Sequence, residues 1–380
     1  MYLSLVLVSL CVCTIIGEVF LRIIGYSSPN FYTYHNIVGH RLYPGAQGWF
    51  RKEGEAYITI NSDGLRDREH VVEKPPNTIR IAVLGDSYAE ALQIPLETAF
   101  WKVMEHKLEE QPAFAGRRVE VINFGVSGDG TAQEFLTLQH YVWKYEPDIV
   151  LLALLTGNDI RNNSKKLESN LLRPFFVFQN DTLVLDNSFL ESPVYKRKTA
   201  PVQSIYRMLS RHLRVLQLCN AVKRQAVAYR QKRKELLKGD EFGLDHLIYM
   251  PPHLPEWEEA WKITEAILMK MHREIVQHNA RLLVVTLSNG IQVHPDSTIR
   301  MRFMETFKID NIFYPDDRLK NFGKKTGIEV LTLAPMLQKY ATTHQQPLHG
   351  FENATLGFGH WNEEGHRIAG EIIADYLCSN

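Results

Sequence analysis

The sequence predicts an α/β fold: a three-layer sandwich on a five-stranded parallel sheet, with an inserted, mostly helical subdomain and an N-terminal membrane helix. Three observations carry this. From residue 79 onward, short apolar runs alternate with helical stretches, and one run, Asp148 to Leu155, is almost wholly apolar, as when both faces of a sheet are covered. That alternation breaks between 165 and 255, a stretch too long for a loop inside a compact domain. The chain opens on an uncharged run from Tyr2 to Gly17.

The opening run reaches the length of a bilayer span, about 20 residues, only if it continues through Ile24 with Glu18 and Arg22 near the interface. An uncleaved anchor over 1–25 is preferred to a cleaved signal peptide. Tyr2 follows Met1 directly, and neither a basic n-region nor a small-x-small cleavage site is present. The nearest basic residues, Arg22 and Arg41, follow the span and point weakly to a cytoplasmic body.

Residues 26–78 form a lead-in rich in Tyr, Gly, Asn and Pro, with a strand at Tyr57–Ile60, closed by the breaker cluster Lys74-Pro75-Pro76-Asn77. The sheet domain starts at 79. Its strands are Ile79–Leu84 (closed by Gly85), Val119–Asn123, Asp148–Leu155, Leu282–Leu287 and Ile328–Leu333. Helices fall at 97–109, 130–145, 256–278 and about 363–377, and residues 316–326 lead into the last strand. The first part of the domain spans 79–164, the inserted subdomain 165–255 and the second part 256–380. Within the insertion, Phe175–Phe189 reads as a hairpin. Ile205, Met208, Leu209, Leu213, Leu216 and Cys219 then share one face of a long amphipathic helix whose stripe around Leu209 and Leu216 is a candidate acyl-pocket wall.

Composition excludes several classes. Forty-five per cent hydrophobic residues support a large core and argue against disorder. Four cysteines exclude a disulfide framework, and Cys219 and Cys378 allow at most one bridge. The balance of 43 Lys+Arg against 43 Asp+Glu argues against nucleic acid as a partner. The tie is a cancellation, because residues 196–238 hold thirteen Lys/Arg and one acid, Glu235. Arg207, Arg211 and Arg214 lie along one helical stripe there and are the candidates for an anionic surface or glycan. No metal-ligand spacing, phosphate loop or dinucleotide fingerprint is present, so no cofactor is expected. His344 and His349 read as loop histidines.

The chemistry gathers at strand ends. Gly85-Asp86-Ser87 stands where a strand meets a helix, Asn123-Phe124-Gly125 closes the second strand, and Gly157-Asn158-Asp159 follows the third. All three reach the carboxyl edge of the sheet, where open parallel sheets bind ligands. His360-Trp361-Asn362-Glu363-Glu364-Gly365-His366 precedes the last helix. Singly, each of these is an ordinary turn or cap. Together, Ser, Gly, Asn and His in this order resemble the SGNH subgroup of the GDSL esterase/lipase family, over roughly 79–160 and 280–377. Ile60-Asn61-Ser62-Asp63-Gly64-Leu65-Arg66-Asp67 is similar to a lead-in of membrane-anchored bacterial members.

The resemblance implies a nucleophile at Ser87 and a general base at His360. It also implies an oxyanion hole from the N–H groups of Ser87 and Gly125 and the amide of Asn158. Asp86, Asp159 and His366 are further candidates. One departure stands out. The family places an aspartate three residues before the histidine, and here that residue is Gly357. A backbone carbonyl, or an acid from elsewhere (Asp159, Asp316 or Asp317), would then orient His360. In a second register His366 is the base, with Glu363 three residues before it.

The resulting expectation is a serine hydrolase that forms an acyl-enzyme, an esterase or deacetylase on a cell-surface glycan or glycolipid. An O-acyltransferase on a polysaccharide and a non-catalytic carbohydrate-binding protein on the same scaffold are the alternatives. The resemblance puts the body outside the cytoplasmic membrane, against the weak charge rule.

Overall fold

In the computed structural model of the chain, residues 2–111, 114, 116–236 and 244–379 are described, with the side chains of residue 3 and of 227–236 left out. Helix α1 (Tyr2–Ile23) is followed by two antiparallel ribbons. One pairs β1 (Tyr32–His35) with β2 (Gly39–Leu42), the other β3 (Gln47–Phe50) with β4 (Ala56–Thr59). The sheet domain then runs β5 (Thr78–Gly85), α2 (Ser87–Glu90), α3 (Phe100–Glu109), β6 (Arg118–Asn123), α4 (Thr131–Thr137), β7 (Ile149–Leu155) and α5 (Asp159–Asn162). A hairpin of β8 (Phe175–Gln179) and β9 (Thr182–Asp186) leads into α6 (Pro193–Thr199), α7 (Pro201–His212) and α8 (Arg214–Leu236). The chain closes with α9 (Pro255–Gln277), β10 (Arg281–Leu287), α10 (Gly290–Val293), α11 (Ser297–Phe307), α12 (Tyr314–Thr326), β11 (Glu329–Thr332), α13 (Ala334–His344) and α14 (Glu363–Ser379).

The main sheet has five parallel strands in the order β11-β10-β7-β5-β6. Its core follows from strand periodicity. Ala82, Leu84, Val150, Leu152, Leu154 and Val284 face one apolar layer, while Ile81, Val83, Leu151, Ala153 and Val285 face the other. Every residue of β7 is buried, which explains its continuous apolar run. The chain steps outward from β5 to β6, then returns past β5 to β7. This reversal opens a crevice at the carboxyl end of β5. Gly85 ends that strand because a Cβ there would meet Ala153 O at 3.0 Å and Ala89 Cβ at 2.9 Å.

The five predicted strands are present within a residue or two of their expected limits, and the fold is the expected α/β sandwich with an apolar N-terminal helix. Some elements differ. The 130–145 helix is α4 continued by a π turn at Leu138–Val142 and a 3-10 turn at Trp143–Tyr145. The long amphipathic helix is two helices, because Leu213 is extended (φ −95°, ψ 113°) and breaks it. The stripe from Ile205 to Cys219 is therefore not one face. Helix α11, absent from the sequence reading, fully buries none of its residues, and Ile299, Phe303, Met304 and Phe307 are only partly buried against the core. Cys219 and Cys378 are both free thiols.

Helix α1 turns its side chains outward, with Leu5, Val8, Leu10, Ile15, Ile16 and Phe20 all exposed. Its two charged residues dock on the junction of α7 and α8. Glu18 Oε2 accepts the Val215 N–H at 3.0 Å, and Arg22 donates to His212 O at 2.9 Å. The expected arginine stripe faces the protein. Arg211 stacks on Tyr43 (2.9 Å to the ring centroid), Arg214 donates to Ser27 Oγ at 2.7 Å, and Arg207 donates to Lys198 O at 2.5 Å. The bend at Leu213 and these partners remove the continuous solvent-facing cationic row. Arg230, Lys232, Arg233, Lys234 and Lys238 of the basic run lie outside the described side chains.

Candidate active site

Three strand ends and one loop supply the site. Asp86 caps α2 by accepting the Tyr88 N–H at 3.0 Å, which fixes the sharp turn carrying Ser87. Asp86 Oδ2 also accepts from Asn158 Nδ2 at 3.0 Å, so one carboxylate sets both the nucleophile turn and the amide after β7. Burial pushes Asp86 above its ordinary value, and the N–H of Tyr88 and the Asn158 amide oppose this.

Ser87 Oγ lies 2.8 Å from His360 Nε2. On the other side of the ring, His360 Nδ1 lies 2.5 Å from Glu53 Oε2, and the His360 backbone N–H donates to Glu53 Oε1 at 2.9 Å. The carboxylate can only accept, so Nδ1 carries the proton and Nε2 is left to accept the serine hydroxyl. Burial lowers the His360 pKa, but the hydrogen bond and charge of Glu53 outweigh it and hold the ring above its ordinary 6.5. Burial raises Glu53, and the His360 ring outweighs that too, leaving the carboxyl below its ordinary 4.5. Serine, histidine and carboxylate thus stand in line with the spacing that general-base activation of a hydroxyl requires.

Glu53 lies in the turn between β3 and β4, in the lead-in segment, and sequence reasoning missed it. None of the acids it weighed is near the ring. Asp159 accepts the Leu155 N–H at 2.8 Å, Asp316 accepts from Thr286 Oγ1 and Gln292 Nε2, and Asp317 accepts from Asn311 Nδ2. Gly357 (φ +86°) turns its open side toward His294, where a Cβ would meet the ring at 2.6 Å. His366 is buried against α3, with Nδ1 accepting the Phe100 N–H at 3.2 Å. Burial holds it well below 6.5, so its ring is neutral.

A second tier fixes the His360 loop. His349, expected as a loop histidine, is fully buried. Its Nδ1 lies 2.6 Å from Gly359 O, a carbonyl that can only accept, so the proton is on Nδ1 and Nε2 accepts from Ser288 Oγ at 3.0 Å. Burial lowers its pKa to about 4, which keeps it neutral. Trp361 Nε1 donates to the same Ser288 at 2.8 Å, and Tyr88 Oη donates to Gly359 O at 2.9 Å. The Ile60–Asp67 stretch buttresses the far side. Asp67 Oδ2 accepts the Asn123 N–H at 3.0 Å, and the buried Arg66 donates to Ile94 O at 2.6 Å.

The Gly125 N–H, expected in an oxyanion hole, donates to Asn123 Oδ1 at 3.0 Å. Its glycine is required by close passage, since a Cβ would meet Ala89 Cβ at 2.5 Å and Glu90 N at 2.7 Å. Among the described residues, no group of three or more His, Cys, Asp or Glu is placed to hold a metal ion. A cleft of about 1550 Å³ opens beside His360, lined by the lead-in, the insertion and α11. Leu209 and Leu216, the expected acyl-pocket stripe, do not line it.

No family model matches the chain. It is 29% identical over 139 residues to an arylesterase from Vibrio mimicus, a match covering 36% of this chain and 68% of that protein. Among solved structures, an acetyl xylan esterase aligns over 79% of this chain and 100% of its own, with 12% identity and a TM-score of 0.39. An acetylxylan esterase from Geobacillus stearothermophilus aligns over 79% and 93%, with 10% identity and a TM-score of 0.38. Ser87, Asn158 and His360, at the carboxyl edge of a five-stranded parallel sheet, stand in settings that resemble those of the SGNH/GDSL hydrolases, and the curated protein to which the chain is similar is an arylesterase.

Proposed function

We propose that the chain is a serine ester hydrolase that works through an acyl-enzyme, with Ser87, His360 and Glu53 as its catalytic line. The observation that carries this is the unbroken contact from Ser87 Oγ to His360 Nε2 and from His360 Nδ1 to Glu53 Oε2. A serine hydroxyl is too weak an acid to attack an ester at neutral pH, so His360 takes its proton as the Oγ–carbon bond forms. Glu53 holds the imidazole in the needed tautomer and stabilises the imidazolium. The tetrahedral oxyanion meets the Ser87 N–H and the Asn158 amide, with Gly125 adding its N–H if Asn123 Oδ1 shares it. His360 then protonates the departing alcohol. Water, deprotonated by the same ring, cleaves the acyl-serine and restores the hydroxyl.

The substrate class in this reading is an acyl ester on a cell-surface glycan or glycolipid. Two features support it: a cleft far larger than a simple acetyl ester fills, and an apolar helix α1 whose Ser4–Ile23 stretch is long enough to cross a bilayer. We read α1 as a single-pass anchor with the catalytic body outside the cytoplasmic membrane. Gly357 gave the non-catalytic alternative its motive, and Glu53 answers it from another part of the chain. The test is labelling of the folded chain with a fluorophosphonate, together with hydrolysis of p-nitrophenyl acetate. A Ser87 adduct and turnover lost in Ser87→Ala are expected; a folded chain that neither labels nor turns over overturns the reading.

A further inference from the structure

The cleft beside His360 carries more positive charge than it neutralises. Lys52 comes from the β3–β4 turn, Lys198 from α6, Arg207 from α7, Arg224 from α8 and Arg302 from α11. Among the described residues none of the five has a carboxylate within 4 Å. Two of the lining acids are already engaged: Glu53 pairs with His360, and Glu90 accepts from Tyr32 Oη at 2.8 Å. Burial pushes Glu90 up to about 7, so at neutral pH it cancels only part of a charge. A sixth cation, Arg51, has Glu55 as partner.

Three of these cations are held by neighbouring side chains. Arg224 Nη2 donates to Ser28 Oγ at 3.0 Å and to Ser28 O at 3.3 Å. Lys198 and Arg207 both sit on the ring of Tyr34, at 5.4 and 5.5 Å from its centroid. Burial lowers Lys52 below its ordinary value, and the charge of Arg224 adds a smaller push in the same direction. Collecting five cations around one concavity costs mutual repulsion, which a bound anion relieves.

Building on the esterase reading, we propose that this cleft selects an O-acylated oligosaccharide bearing repeated anionic groups, carboxylate or phosphate. The cations come from five separate elements around about 1550 Å³, a spread that suits several negative groups along a chain better than the single phosphate of a lipid headgroup. Trp49 and Phe50 line the same cleft and add aromatic surface for sugar rings.

The test compares acetyl release from O-acetylated polygalacturonate oligosaccharides and from O-acetylated xylo-oligosaccharides, with p-nitrophenyl acetate as a small neutral ester. The acidic substrate is expected to lead by at least about tenfold in kcat/KM at low salt, and the lead to shrink at about 0.5 M salt. In Arg302→Gln, an exposed helix position with little folding risk, and in Arg224→Gln, the acidic-to-neutral ratio falls, chiefly through KM on the acidic glycan. Turnover of p-nitrophenyl acetate with equal rates on the two glycans overturns this inference and leaves the esterase reading standing. Absence of all three activities overturns the esterase reading; binding of unacetylated polygalacturonate oligosaccharides to the full chain, measured by calorimetry, then still decides the cleft. A preference for acyl esters in phosphatidylglycerol vesicles over the acidic glycan overturns the choice of a saccharide.

Discussion

Glu53 meets His360 across 307 positions of chain, with Oε2 at 2.5 Å from Nδ1 and Oε1 accepting the His360 N–H at 2.9 Å. The two contacts fix both the ring and its backbone, so the carboxylate sets the tautomer and the position of the base together. Glu53→Gln keeps the shape but can present an amide N–H to Nδ1, which favours the wrong tautomer. A loss in kcat of about 10⁴-fold on p-nitrophenyl acetate is expected, as for the equivalent change in a serine protease triad. A loss below about tenfold, with unchanged melting temperature, would mean that another group orients the ring.

The same pair sets the pH dependence. His360 acts as a base only when neutral, and Glu53 holds its pKa above 6.5 in the free enzyme. The acidic limb of kcat/KM therefore lies above pH 6.5, with activity rising as pH rises through it. Removing the Glu53 charge leaves burial opposed only by the smaller effects of Asp86 and Glu90, so in Glu53→Gln the residual activity has its limb shifted to lower pH. An unshifted limb would assign it to a different group.

How much of this was readable in the sequence depends on the range of each interaction. Ser87, Asn158 and His360 stand at strand ends or just before a helix, so local pattern places them on one edge. Glu53 lies in Arg51-Lys52-Glu53-Gly54-Glu55, which reads as an ordinary charged turn, and only the packing of the β3–β4 ribbon against the His360 loop gives it a role. The one local hint was that Ile60–Asp67 looked more specific than a linker; Asp67 and Arg66 do buttress the site from that segment. The bend at Leu213 was invisible because Leu209, Leu213 and Leu216 keep helical spacing on both sides of it.

Gly359 offers an independent handle on Glu53. Its φ is +84°, and a Cβ there would strike the Glu53 carboxylate. Gly359→Ala is therefore expected to displace the acid while leaving the core intact, with a drop in kcat similar to that of Glu53→Gln. Because both changes break one contact, the double variant should lose little more than either alone. Additive losses would separate the two residues.

Asn158 presents its amide beside Ser87 because Asp86 holds it. If that amide stabilises the oxyanion, Asn158→Ala lowers kcat by about 10²–10³-fold with little change in KM. A rise in KM at constant kcat would show that the side chain binds the ground state instead. The Asn158 amide has two N–H donors, and the bond to Asp86 uses one of them.

The two histidines of the His360–His366 stretch separate cleanly. His360 is in contact with Ser87, whereas His366 stacks on Phe100 (6.0 Å, 12° between planes) and accepts the Phe100 N–H at the start of α3. Its ring is neutral and wholly enclosed, so it serves α3 and α14 rather than the reaction. His360→Ala should reduce turnover to the level of Ser87→Ala with little change in melting temperature. His366→Ala leaves the Phe100 N–H unpaired and opens a cavity, which together cost about 2–4 kcal/mol and lower the melting temperature by several degrees. The kcat of the folded fraction should stay within about tenfold of the parent, since no reacting atom has been touched. If His366→Ala alone removed activity from a folded chain, the base would have to be reassigned and Glu53 would lose its catalytic role with it.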